Sequence, residues 1–286
     1  MDTQTRLITS IADLRSTLSA ARKAGKRIGL VPTMGALHEG HLSLVRASKL
    51  QCGLTVVSIY VNPTQFGPRE DLAKYPRTLQ SDLDVLAALG TELVFAPSDK
   101  EMYPAGYGTW VEPGAVAEPL EGQCRSGHFR GVATVVLKLF EIVRPDAAYF
   151  GQKDYQQALV IRRMVCDLNV PVEIVVCPIV READGLAMSS RNRYLSPAAR
   201  GRALVLWKSL QLAVELVAQG ERSVEMIVDQ MRKVILTADD ARIDYIALVD
   251  PDTLQPVSTI AGRTLAALAV TIENTRLIDN CLLEPP

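Results

Sequence analysis

Short apolar runs rich in β-branched residues alternate with stretches of helical spacing along the first two thirds of this chain, and that rhythm limits the fold more than any other feature. Leu54 to Val61 (LTVVSIYV) is the clearest strand. Arg27 to Pro32 reads as a buried strand that ends in a turn, and Leu93 to Ala96 as a short strand stopped by Pro97. Ala147 to Phe150 and Val172 to Val180 add two more. Between them, His41 to Ser48, Asp82 to Leu89, Thr134 to Val143 and Asp154 to Leu168 carry helical spacing. Strands alternating with helices favour a parallel sheet covered on both faces. The expected class is α/β, with a Rossmann-like, doubly wound parallel sheet. After about Val180 the order changes. Amphipathic helices over Pro197 to Val217 and Val224 to Leu236 come first, then β-rich stretches over Ile243 to Val249 and Thr264 to Thr271. The expected division is a nucleotide-binding domain of residues 1–180 and a smaller C-terminal α+β domain of residues 181–286.

Hydrophobic residues make up 48% and charged residues 22% of 286, a balance that supports a sizeable core. The formal net charge is −1, with no long Lys/Arg run, which argues against a nucleic-acid partner. Met1 to Ser10 is polar, unlike a secretory signal, and no stretch approaches the roughly 20 apolar residues of a membrane helix. Cys52, Cys124, Cys166, Cys177 and Cys281 are scattered without a C-x-x-C pair. They read as reduced thiols of a cytoplasmic enzyme rather than zinc ligands.

Four strings carry candidate chemistry. Val31 to His41 (VPTMGALHEGH) follows a strand and opens a helix, where free backbone N–H groups and the positive dipole end suit phosphate. Gly35 and Gly40 let the backbone approach a ligand, and His38 and His41 share one helical face as donors to phosphate oxygens. The bland alternative is a capped helix start carrying two exposed histidines. Neither G-x-G-x-x-G nor a Walker-type G-K-[ST] is present in this turn. In Ser58 to Gly67, the Asn62-Pro63 turn leaves Gln65 on a loop, its amide able to donate and accept toward a substrate with a carboxylate and hydroxyls. Asn-Pro is also simply a common turn.

The third string, Phe150 to Gln157 (FGQKDYQQ), places Gly151 for close approach, Lys153 for a phosphate, Asp154 for ribose hydroxyls and Gln157 one turn further. A surface lysine beside a capping aspartate is its plain reading. The fourth, Val180 to Asn192, ends in Met188-Ser189-Ser190-Arg191, two hydroxyls and a guanidinium suited to closing on a triphosphate. Its plain reading is a polar linker. His128 reads as a loop or packing histidine.

P-T-M-G-A-L-H-E-G-H resembles the HxGH signature of the nucleotidylyltransferase superfamily, and in its longer form the version carried by pantothenate synthetases. Met188 to Arg191 resembles a KMSKS-type loop, and Leu120-Glu121-Gly122, His128 to Val132 and Thr275 to Asn280 also match the family. Gln152 departs from the usual G-E-K-D-Y-Q-Q, Ser81 stands where an acid is frequent, and Glu273-Asn274 replaces a glycine-containing approach. The resemblance implies ATP-dependent condensation of pantoate with β-alanine through a pantoyl adenylate, releasing AMP and pyrophosphate. It implies catalytic roles for His38, His41, Lys153 and Arg191. ATP would be held by Met34, Gly35, Ala36, Leu37, His38, Glu39, Gly40 and His41, by Gly151, Gln152, Lys153 and Asp154, and by Val180, Met188, Ser189, Ser190 and Arg191. Pantoate and β-alanine would meet Pro32, Met34, Gln65 and Gln157. Asp82 would serve Mg2+ through ATP, although it also reads as a helix N-terminal acid. A homodimer is implied as well. The rivals are another HxGH nucleotidylyltransferase and an inactive nucleotide sensor, and the latter would be expected to lose His38, His41 or Lys153.

Overall fold

The computed structural model describes residues 5–68 and 70–285, which form two compact units. The first contains the chain up to Ala117, then Arg125–Gln152 and Gln157–Pro178. The second contains Glu118–Cys124, Lys153–Gln156 and the chain from Ile179 onward.

The first unit is built on six strands: β1 (Arg6–Ile8), β2 (Ile28–Thr33), β3 (Leu54–Ile59), β4 (Leu93–Phe95), β5 (Ala147–Gly151) and β6 (Glu173–Cys177). They lie in the order β1-β4-β3-β2-β5-β6, and every pairing is parallel. Its helices are α1 (Ile11–Lys23), α2 (Glu39–Gln51), α3 (Leu79–Ala88), α4 (Asp99–Met102), α6 (His128–Val143) and most of α7 (Tyr155–Asp167), while α5 (Glu121–Cys124) belongs to the second unit.

Alternate side chains of each strand enter opposite cores. Leu30, Val56, Phe95 and Phe150 pack with Leu14, Phe140 and Ile161 on one face. Val31, Val57, Val94 and Tyr149 pack with Leu44, Val45 and Leu86 on the other. Covering both faces explains why Leu54 and Val56 are apolar on one side of β3 and Val57 and Ile59 on the other, without polar alternation. Strand order reverses between neighbours β2 and β5, and beyond the carboxyl ends of such a pair α/β sheets bind their ligands.

The second unit packs α8 (Pro197–Arg202), α9 (Val205–Ala218) and α10 (Val224–Ile235) with an antiparallel sheet of β7 (Arg242–Val249), β8 (Thr264–Ile272) and β9 (Thr275–Leu283), in the order β7-β8-β9. Leu206, Leu210, Ile227, Met231, Leu268 and Val270 lie in its core. The single helix expected over Pro197 to Val217 is two. Ser196 caps α8 through the Ala199 amide, and the chain breaks at Ala203 and Leu204 before α9. Among the described residues no helix is long and apolar enough to cross a membrane.

Candidate active site

The turn after β2 is held from outside. Gly35 and Ala36 both have left-handed backbones, with φ of 80° and 50°. Glycine adopts that region freely, whereas alanine must be held there. Thr33 Oγ1 accepts the Gly35 amide at 3.1 Å and donates to the Ser58 carbonyl at 2.7 Å. Asp82, 3% exposed, accepts the amides of Ala36 at 3.0 Å and Leu37 at 2.8 Å, and the Thr78 hydroxyl at 3.2 Å. The two oxygens of Asp82 are turned inward onto backbone amides, so this carboxylate holds the turn that carries His38. Among the described residues no group of three His, Cys, Asp or Glu side chains could hold a metal ion.

His38 is the N-cap of α2. Its Nδ1 accepts the Gly40 amide at 3.1 Å, and its own amide faces His41 Nδ1 at 3.4 Å. The rings lie 4.1 Å apart with a 35° tilt. With both Nδ1 atoms accepting, the neutral tautomers carry their protons on Nε2, so each imidazole is an N–H donor. Two imidazolium charges at that separation would repel by about 4 kcal/mol at an effective dielectric near 20. The geometry therefore favours paired donors over paired cations.

Gln65 is positioned as closely. Asn62, 1% exposed, caps the 3-10 turn Pro63–Gln65 and serves five partners. Its Oδ1 accepts from the Thr64 amide at 3.4 Å, the Thr64 hydroxyl at 3.0 Å and the Tyr103 hydroxyl at 2.9 Å. Its Nδ2 donates to Gln65 Oε1 at 3.1 Å and the Gly131 carbonyl at 3.2 Å. Gln65 Oε1 is thereby occupied, and its Nε2 lies 3.3 Å from Met34 Sδ, which orients the amide as a donor on that side. A Cβ on Gly131 would stand 2.4 Å from the Thr64 carbonyl oxygen, so only glycine lets α6 approach this turn.

His128, at the start of α6, is buried with Nδ1 2.9 Å from the Gln65 carbonyl, in keeping with a packing histidine. Arg125 contacts His128 Nε2 at 3.1 Å and grips Glu70 with two bonds of 3.1 and 2.6 Å. Burial raises the Glu70 carboxyl, but the Arg125 guanidinium outweighs it and holds the group below its ordinary 4.5.

Gly151 ends β5, and a 3-10 turn over Gln152–Asp154 leads into α7. A Cβ on Gly151 would meet no other atom within 4 Å, so the turn is open there. In the second unit, Lys153 Nζ lies 3.8 Å from Asp154 Oδ1, and the Lys153 carbonyl accepts from Asn280 Nδ2 at 2.9 Å. Gln156 is buried, accepting the Glu121 amide at 3.0 Å and donating to the Pro119 carbonyl at 2.7 Å. Gln157 is half-buried on the first unit.

The segment from Val180 is a tied hairpin. Arg181 bridges Ala187, the Met188 amide donates to the Val180 carbonyl at 3.0 Å, and the Glu182 amide donates to the Leu186 carbonyl at 2.9 Å. Ser189 Oγ accepts the Arg191 amide at 3.2 Å and caps the 3-10 turn Ser190–Tyr194, within which Ser190 is buried. The polar-linker alternative does not describe a segment so fully engaged.

Asn62, Asn280 and Asp279 fall inside the strings quoted above, but the strings do not show what these side chains hold. Each has a partner far along the chain, Gly131, Lys153 and Arg181 at 69, 127 and 98 positions, which no local spacing announces.

The family model for pantoate-beta-alanine ligase matches residues 6–282. The pantothenate synthetase of Moorella thermoacetica is 58% identical over 278 residues, 97% of this chain and 98% of that protein. The pantothenate synthetase of Roseiflexus sp. is 57% identical over 279 residues, 98% of this chain and 99% of that protein. The crystal structure of the Thermus thermophilus pantothenate synthetase superposes with a TM-score of 0.94 at 45% identity, over 98% of this chain and 100% of that one. The pantoate-beta-alanine ligase of Francisella tularensis, crystallised with beta-gamma ATP and beta-alanine, gives 0.81 at 36% identity over 97% of both chains. The chain belongs to the pantoate-beta-alanine ligase family.

Proposed function

We propose that the residues at these turns divide the family's chemistry among them. The chain is an ATP-dependent ligase that joins pantoate to β-alanine. The pantoate carboxylate attacks the α-phosphorus of ATP, the bond to pyrophosphate breaks, and pantoyl adenylate forms. The amine of β-alanine then attacks the acyl carbon, AMP leaves with the bonding electrons, and the amine loses a proton to give the amide. Oxide is a poor leaving group and AMP a good one, so no covalent nucleophile from the protein is required.

The observation that carries this reading is the histidine pair at the N-terminus of α2, beyond the carboxyl end of β2. Its two donors suit charge growing on the departing pyrophosphate. Lys153, Ser189, Ser190 and Arg191 neutralise phosphate oxygens. Met34, Gly35, Ala36, Leu37, Glu39 and Gly40 line the approach, and Gly151, Gln152, Asp154, Val180 and Met188 hold the nucleoside. The Gln65 amide donates to pantoate, with Gln157, Pro32 and Met34 beside it. Magnesium arrives as the counter-ion of ATP, and Asp82, which holds the Ala36 and Leu37 amides, serves it through ATP. A cytoplasmic homodimer completes the reading.

ATP–pyrophosphate exchange tests it. Exchange should require pantoate and proceed without β-alanine, and AMP should appear only when β-alanine is added. Exchange independent of pantoate, or a stable nucleotide-linked product, overturns the assignment.

A further inference from the structure

Two consecutive residues of β9, Asp279 and Asn280, each 3% exposed, reach the two segments of the second unit that carry Lys153 and the Ser189–Arg191 run. Neighbours on a strand point to opposite faces. Asp279 shares its face with Leu277, Cys281 and Leu283, which pack into the helical core. Asn280 shares the other with Arg276, which holds Glu121 through two bonds of 2.7 and 2.8 Å.

On the first face, the Asp279 carboxylate grips Arg181 at 2.7 and 3.0 Å. Arg181 also donates to the Gly185 carbonyl at 3.1 Å and lies 3.7 Å above the Trp207 ring. Arg181 pairs with Ala187, and the strand-like tie ends at Met188, one residue before Ser189. Asp279 therefore fixes the base of that segment. On the second face, Asn280 Nδ2 donates to the Lys153 carbonyl at 2.9 Å, fixing the backbone from which the ammonium extends. The Asn280 amide closes on Asp279 Oδ1 at 2.8 Å, so the two anchors are tied to one another.

We infer that Asp279 and Asn280 are positioning residues for ATP: one sets the base of the Met188–Arg191 segment through Arg181, the other sets Lys153 through its carbonyl. The inference rests on the reading above that Lys153 and Ser189–Arg191 handle phosphates. A flexible lysine delivers its charge only as well as its backbone is placed, and a displacement of about 1 Å at a reacting centre can cost about 100-fold in rate. Both side chains are buried and spent on Arg181 and the Lys153 carbonyl, so each acts through another residue.

The full-length chain is compared with its Asn280→Asp, Asp279→Asn, Lys153→Ala and combined Asn280→Asp/Lys153→Ala variants. The readouts are ATP–pyrophosphate exchange, separate KM values for ATP and pantoate, and thermal melting. Asn280→Asp keeps the side chain's shape, removes the donor and adds a negative charge facing the Lys153 carbonyl. It should lower exchange kcat/KM for ATP by about 10- to 100-fold with the pantoate KM within about twofold. Since Asn280 acts through Lys153, the double variant should be no slower than Lys153→Ala alone. Asp279→Asn should raise the ATP KM by about tenfold and leave that of pantoate in place. If Asn280→Asp melts below the assay temperature, Asn280→Ala serves the same comparison. ATP kinetics within about twofold of the parent in the Asn280 variant, alongside an inactive Lys153→Ala, overturn the inference and leave the role of Lys153 standing. So does a loss that adds fully to that of Lys153→Ala, or one shared equally by both substrates. Ordinary ATP kinetics in Lys153→Ala overturn the role of Lys153 and the inference together.

Discussion

The carboxylate of Asp82 accepts the amide of Leu37 at 2.8 Å across 45 positions of sequence. The same carboxylate holds Ala36, whose left-handed backbone has no glycine's freedom. Asp82→Asn would keep one accepting oxygen and turn an NH2 group toward the other amide donor. A buried group left unmatched costs about 1–3 kcal/mol, and the turn carrying His38 should relax with it. We expect an earlier urea midpoint and a loss of exchange activity that persists well below that midpoint. Unchanged activity would show that the turn holds its shape without this clamp.

The two histidines separate capping from chemistry. Asparagine is a good N-cap, so His38→Asn should keep α2 intact while removing the Nε2 donor. Exchange should fall about 100- to 1000-fold, with a change in stability below about 1 kcal/mol. His41→Ala should lose exchange to a similar extent. Near-normal turnover in both variants would remove the pair from phosphate stabilisation.

Pantoate handling is tested from two sides. Gln157→Ala should raise the pantoate KM by about tenfold, the worth of one lost hydrogen bond, without moving that of ATP. Gly131→Ala should have the same signature by a different route. Its new methyl meets the Thr64 carbonyl oxygen at 2.4 Å and must push the Gln65 turn aside. An effect on ATP alone in either variant contradicts the assignment.

Glu70 makes the fold acid-sensitive in one place. Its carboxyl lies below the ordinary 4.5: burial opposes that, and Arg125 prevails. A depressed carboxylate contributes stability above its unfolded value, and that contribution disappears as pH falls through the folded one. Glu70→Gln should therefore melt earlier than the parent at about pH 6, by an amount corresponding to about 1 kcal/mol, and the gap should close as pH drops below 4.5. A gap that is constant with pH would mean that the ion pair contributes nothing through its charge.

The parallel sheet is legible in the chain because its strands announce themselves locally. Leu54–Ile59 is apolar on both faces, and Ala147–Gly151 is bounded by turn residues. β1 escapes such a reading, since a three-residue strand has too little length for a period to emerge. The helix expected from Thr134 begins six residues earlier, at His128, where Gly127 supplies a left-handed start instead of a side-chain cap. His38 and His41 stand out because they fall three apart at a helix start. Asp82 is conspicuous for its charge, but its role is hidden: only the folded chain brings it to Ala36 and Leu37. Asn62 looks like an ordinary turn residue because its decisive partners, Tyr103 and Gly131, come from distant elements.

The chain passes from one unit to the other after Ala117, Cys124, Gln152, Gln156 and Pro178. Two short inserts thus serve a body whose main sequence starts much later. A fragment beginning at Ile179 would leave Arg276 and Tyr245 facing an empty place where Glu121 belongs, and Asn280 without the Lys153 carbonyl. No single cut yields either half whole. Chimaeras that exchange the C-terminal half between relatives should need matching residues at 118–124 and 153–156, and evolution by simple fusion of two finished modules does not describe this architecture.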